Sequence, residues 1–101
     1  MVEINWTKFA LQDLNEIAEF ISKDSVRYAQ MTVKYLFESL SLLKSHPKAG
    51  RIVPEFNESN LRELIRGSYR IVHRIVAKDR VDILTVHHAS RLFKNSLLLK
   101  K

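Results

Sequence analysis

Four arginines recur at even positions in the second half of this chain, Arg62, Arg66, Arg70 and Arg74, and two adjacent histidines, His87 and His88, follow them. Arginines gathered on one surface would make a site for a polyanion, either nucleic acid or an acidic protein. An imidazole titrates near neutral pH and can move a proton. Neighbours on a strand face opposite ways, however, so at most one of His87 and His88 can point at a substrate, and the pair cannot chelate a metal. The competing reading packs one of them against the interior and leaves the other in solvent. His46, at the end of a helical stretch where a cation suits the dipole, and His73, mid-strand among apolar residues, read as structural.

Whether the four arginines share a face depends on the turn between Arg66 and Arg70. A two-residue hairpin over Gly67-Ser68 pairs Arg66 with Tyr69 and separates Arg62 and Arg66 from Arg70 and Arg74. A three-residue loop with a bulge pairs Arg66 with Arg70, gathers all four, and also keeps Ile65, Ile71 and Ile75 together; this second register is the preferred expectation. The other possibility is that the arginines are solvated and paired with Glu63 or Asp82.

Composition narrows the chemistry. Seventeen Lys and Arg against eleven Asp and Glu give a net charge of +6. There is no cysteine, hence no disulfide framework or thiol nucleophile, and two glycines are too few for a glycine-rich phosphate loop. Zinc-ligand spacing and a nucleophile elbow are likewise missing, so neither metal nor cofactor is expected. No signal-peptide pattern opens the chain and no apolar run nears the roughly 20 residues that span a bilayer. The expectation is a cytoplasmic protein with no membrane partner, folded as a single domain over residues 1–101.

Periodicity supplies the elements that must hold these residues. Val2 to Trp6 alternate as a short strand. Thr7 caps a helix with Ala10, Leu14, Ile17, Ala18 and Ile21 inside and Asp13, Glu16 and Glu19 outside, ending near Lys23-Asp24. Ser25 caps a second helix, with a stripe of Ala29, Val33, Leu36, Phe37, Leu40 and Leu43, running to about Ser45 before Pro47. The short connection makes the two an antiparallel hairpin. Gly50 and Pro54 mark an irregular segment. Strands follow at Leu61 to Arg66, Tyr69 to Ala77 and Arg80 to His88, joined by turns at Gly67-Ser68 and Lys78-Asp79 as an antiparallel meander. Ala89 to Lys101 is a small terminal helix or a tail. Helix hairpin and meander each have an apolar side to bury, so the fold class is α+β, one packed on the other.

The ordered pieces Gly50-Arg-Ile-Val-Pro-Glu-Phe56, Leu61-Arg-Glu-Leu64, Tyr69-Arg-Ile-Val-His-Arg74 and Val81-Asp-Ile-Leu-Thr-Val-His-His-Ala-Ser-Arg91, with Trp6 and Asp13-Leu14 upstream, resemble the RelE/ParE superfamily of bacterial toxins. The resemblance implies that the first strand joins the sheet's edge, that the face away from the helices is concave and functional, and that the chain is the toxin of a type II toxin–antitoxin pair.

In the superfamily's ribosome-dependent RNases, basic residues hold the scissile phosphate while a general base activates the ribose 2′-hydroxyl. By resemblance the catalytic candidates are Arg70, Glu55, His87 and His88. Arg51, Arg62, Arg66, Arg70, Arg74 and Arg91 are the candidates for phosphate or target binding. The RNases' catalytic tyrosine has no counterpart after Tyr69, with Phe93 or Asn95 in its neighbourhood, and Ala89 aligns where one branch has a catalytic arginine. A phenyl ring cannot transfer a proton. The resemblance therefore leans to the ParE branch, whose members poison DNA gyrase, with an mRNA endonuclease acting at the ribosome as the alternative. Either implies an acidic cognate antitoxin, for which Leu97, Leu98 and Leu99 are candidate contacts.

Overall fold

The computed structural model describes residues 2–88. Strand β1 (Glu3–Trp6) leads into helix α1 (Lys8–Ser22), helix α2 (Val26–Ser39) and a single turn, α3 (Leu42–Ser45). Then come β2 (Arg51–Ile52), β3 (Leu61–Arg66), β4 (Tyr69–Ala77) and β5 (Arg80–His88). The five strands form one sheet in the order β1-β5-β4-β3-β2, with β1 parallel to β5 and every other pair antiparallel. This is the α+β architecture expected, with β1 at the edge. No described helix is long and apolar enough to cross a membrane.

Both helix caps form as their residue types require. The Thr7 hydroxyl accepts the Ala10 amide at 3.2 Å and donates to the Ile83 carbonyl at 2.6 Å, so one side chain starts α1 and ties it to β5. Ser25 accepts the Tyr28 amide at 3.0 Å at the head of α2. The second helix does not run unbroken to Ser45. Ser39 and Ser41 turn their hydroxyls back onto the Tyr35 and Glu38 carbonyls, and the backbone tightens to three-residue spacing through Leu40 and Ser41. Serines that offer the backbone local bonds favour such a break.

Asp13, expected on the outside of α1, instead turns inward. One of its carboxylate oxygens accepts both the Thr85 hydroxyl at 2.6 Å and the Val86 amide at 3.1 Å. The register between β4 and β5 slips at this point, Val72 opposing Thr85 while His73 opposes Ile83. The extra residue lets Leu84 join one apolar cluster while Thr85 reaches the helix.

The main core lies between helices and sheet: Ala10, Leu14, Leu36, Leu40 and Leu43 meet Leu64, Ile71, Val81, Ile83 and Val86, with Trp6, Ile17, Val33 and Ile75 around them. Phe37 is partly exposed, and its ring packs on Trp6 at 4.7 Å between centroids. A second cluster, Val53, Leu61, Val72 and Leu84 with Phe56, sits on the opposite face of the sheet under residues 53–60. The meander thus buries apolar side chains on both faces near β3 and β4.

Candidate functional site

The hairpin joining β3 to β4 decides which arginines meet. Arg66 pairs with Tyr69, Ile65 with Arg70 and Leu61 with Arg74, so the two-residue turn is the one that forms. Gly67 takes φ +59°, and Ser68 stays in ordinary backbone space, as a II′ hairpin requires. The preferred bulged register is corrected: Arg62 and Arg66 lie on the helix side of the sheet with Leu64 and Ile71, while Arg70 and Arg74 lie on the far side with Ile65 and Glu63. Ile65 is parted from Ile71 and Ile75 and is exposed. The apolar pattern could not select the register because each face carries its own apolar set.

A further strand completes the site. Arg51 and Ile52, expected to be irregular, pair with Glu63 and Arg62 as β2. Gly50 permits this approach: at φ +88°, a Cβ there would stand 2.2 Å from the Glu63 carbonyl oxygen. Pairing places Arg51 beside Glu63 on the far face of the sheet.

There the charges alternate in a chain. The Glu63 carboxylate, its side chain wholly buried, takes the Arg51 Nε on one oxygen and the Arg70 Nε on the other. The Arg70 guanidinium then reaches Glu55 with Nη2 to Oε1 at 2.9 Å and Nη1 to Oε2 at 3.3 Å. Burial alone would lower the Arg70 pKa, and the two carboxylates outweigh it, so the group stays charged. Arg70 holds the Glu55 carboxyl below its ordinary value against a smaller opposing effect of burial. Two guanidiniums and two carboxylates make the chain formally neutral. Arg74 continues the face, with Glu58 3.8 Å away.

The remaining candidates are dispersed. Arg62 donates to the Ser59 and Lys48 carbonyls at 2.9 and 3.3 Å. Arg66 donates to the Ile65 carbonyl at 2.9 Å. His87 lies opposite Arg70 on β5 and is 4% exposed. His88 lies opposite Tyr69 on the helix side, its ring edge-on to the tyrosine at 5.8 Å. Arg91, Leu97, Leu98 and Leu99, with Ala89, Phe93 and Asn95, lie outside the described residues.

Of the predicted residues, then, the structure joins Arg51, Arg70 and Glu55 through Glu63, sets His87 opposite Arg70 on the next strand, and parts Arg62, Arg66 and His88 from them. Glu63 is the residue the sequence undervalued, being read only as a possible counter-ion. Its signal was an acid two residues from Leu61 in an alternating strand, a place that burial forbids to a carboxylate without partners.

His73 is structural, as expected. It is fully buried, and its Nε2 lies 3.1 Å from the Pro47 carbonyl oxygen. Burial lowers its pKa to about 4, outweighing the Pro47 bond. No described group of three or more His, Cys, Asp or Glu is arranged to hold a metal ion.

Comparison with known proteins bears on this geometry. The family model for the ParE toxin of the type II toxin–antitoxin system parDE matches residues 4–93. Toxin RelE2 of Caulobacter vibrioides is 32% identical over 92 residues, 91% of this chain and 100% of that protein. A chain of a chromosomal ParDE toxin–antitoxin system from P. aeruginosa superposes with a TM-score of 0.70 at 21% identity, over 87% of this chain and 96% of that one. A chain of the RelBE2 toxin–antitoxin complex from Mycobacterium tuberculosis does so with a TM-score of 0.55 at 25% identity, over 86% and 96%.

Proposed function

This chain belongs to the ParE toxin family of type II toxin–antitoxin systems, within the RelE/ParE superfamily, and from that membership we propose that it inhibits DNA gyrase by protein–protein contact and is neutralised by an acidic cognate antitoxin. It acts in the cytoplasm, as a single domain over residues 1–101.

One observation carries the gyrase reading: Arg70, the natural phosphate ligand of a nuclease, is 8% exposed and already held by Glu55 and Glu63. A phosphate would have to displace a bidentate carboxylate and leave Glu55 without its counter-charge. Groups suited to move a proton are badly placed for an attack on RNA. His87 is buried, His88 is on the helix side, and burial together with Tyr28 raises the Tyr69 pKa, keeping its hydroxyl protonated. The far face offers contact chemistry instead, with Arg51, Arg74 and Ile65 all reaching solvent on it.

The mRNA endonuclease remains a second reading because a relative 32% identical carries a RelE name. Induced expression separates the two when plasmid supercoiling and mRNA 5′ ends are scored in the same culture. Altered supercoiling with intact mRNA is expected. New mRNA ends in phase with ribosomes, at normal supercoiling, would refute the gyrase reading and return Arg70, Glu55, His87 and His88 to catalytic candidacy. An antitoxin partner fits the net charge of +6, which favours an acidic chain.

A further inference from the structure

β2 is only two residues long, so it covers β3 at Arg62 and Glu63, and no other described strand covers the edge at Leu64, Ile65 and Arg66. The hairpin closes on the Arg66–Tyr69 pair, which turns the backbone groups of Arg66 and Leu64 towards β4 and those of Ile65 outward. In keeping with this, the Ile65 carbonyl is covered by the Arg66 side chain, at 2.9 Å from Nη1. A lone arginine on its own strand edge is a removable cover.

Exposed apolar side chains flank this edge above and below. Ile65 is 44% exposed on the far face. On the helix side, Tyr35 is 47% exposed, with its ring 3.8 Å from where a Cβ on Gly67 would stand, and Tyr28 and Met31 continue the stripe along α2. An added strand would send alternate side chains to the two sides, one set onto Ile65 and the other onto Tyr35.

We propose that the open edge of β3 at Ile65 is a strand-addition site for an extended acidic segment of a protein partner, which releases Arg66 from the Ile65 carbonyl and takes its guanidinium as an ion pair. Charge selects this occupant over a second copy. Pairing two β3 edges would bring Arg66 of both copies onto one seam, in chains that each carry +6. The partner's identity as an antitoxin rests on the function proposed above, whereas the edge and its flanks do not.

Amide exchange at Ile65, read by NMR on the intact chain alone and saturated with the protein encoded by the adjoining reading frame, tests the site. Exchange should slow by at least about 100-fold in the complex. Ile65→Pro removes a donor that no described residue accepts, at a position where an edge strand tolerates proline. It should weaken binding at least about tenfold, as should Arg66→Glu, with melting little changed. A neutralised toxin whose Ile65 amide still exchanges freely would overturn the proposal, and this measurement on the unmodified chain holds even if Ile65→Pro fails to fold. Protection in the free chain that grows with concentration would assign the edge to a second copy, and protection at every concentration would assign it to residues 89–101. Both outcomes overturn it. Failure of the adjoining protein to bind at all would instead refute the toxin–antitoxin pairing, and the acidic occupant with it.

Discussion

Arg70 and Glu55 meet edge to edge, Nη2 on Oε1 at 2.9 Å and Nη1 on Oε2 at 3.3 Å, and this pair fastens residues 53–60 to the sheet. Val53 and Phe56 of that segment pack with Leu61, Val72 and Leu84 of the sheet. The guanidinium that resemblance assigns to phosphate therefore holds a loop over an apolar cluster.

Glu63 is the member of the network whose loss should cost most. Glu63→Ala leaves Arg51 and Arg70 facing each other with no shared counter-ion, and breaking a buried pair costs about 3–5 kcal/mol. Urea unfolding should show a loss of that order. Arg51→Ala, which removes a largely exposed partner, should cost under about 1 kcal/mol.

His73 sets an acid limb of stability. Its folded pKa is about 4 against an ordinary 6.5, so the unfolded chain takes up the proton first as pH falls. Stability is full above pH 6.5, declines to about pH 4 and then levels off, a fall of about 3 kcal/mol. His73→Gln should flatten that limb in pH-dependent unfolding. Glu55 acts lower: its depressed carboxyl contributes above the ordinary 4.5, and that contribution fades as pH drops through the folded value. Glu55→Gln should remove only this lower limb.

Two glycines should respond unequally to alanine. Gly50→Ala drives a methyl into the Glu63 carbonyl at a positive φ, and about 3 kcal/mol is expected. Gly67→Ala meets nothing closer than the Tyr35 ring at 3.8 Å, so only the backbone cost of about 1–2 kcal/mol applies. Melting temperatures of the two variants should rank in that order.

Asp13 couples α1 to the bulge in β5 through two hydrogen bonds on one oxygen. Asp13→Ala should destabilise by about 1–3 kcal/mol, because the Thr85 hydroxyl and Val86 amide lose their acceptor inside the fold. Thr85→Val removes one of the two bonds and should cost less. A double-mutant cycle checks that the effects are not additive.

The strands from Leu61 to His88 were legible to the residue because strict alternation is punctuated by Gly67-Ser68 and Lys78-Asp79, and the caps at Thr7 and Ser25 were legible because their side chains act locally. What the sequence concealed depends on contacts distant along the chain. β2 exists because Gly50 can approach Glu63, a tertiary fact with no periodicity at two residues. The hairpin register was hidden because both faces of β3 and β4 bury apolar residues, so a one-residue slip leaves no exposed stripe to condemn it. Asp13 looked like an ordinary surface acid because its partners are on β5, 72 and 73 residues away. The same blindness gathered onto one face four arginines that the two-residue turn separates, and it gave no sign that Glu63 links Arg51 to Arg70.

The parallel seam between β1 and β5 joins the two ends of the described chain, with Asn5 bonded to Asp82 across 77 residues. On the ribosome, Ile4 and Trp6 are made well before their partners and have no strand beside them until Arg80 to Ile83 have been made. Helix hairpin and meander can begin to assemble earlier, but the sheet closes last, through its longest-range pairing. The edge that β1 forms is therefore finished only after Ile83 has been made, so the sheet stays one strand short while the helix hairpin and meander are already in hand.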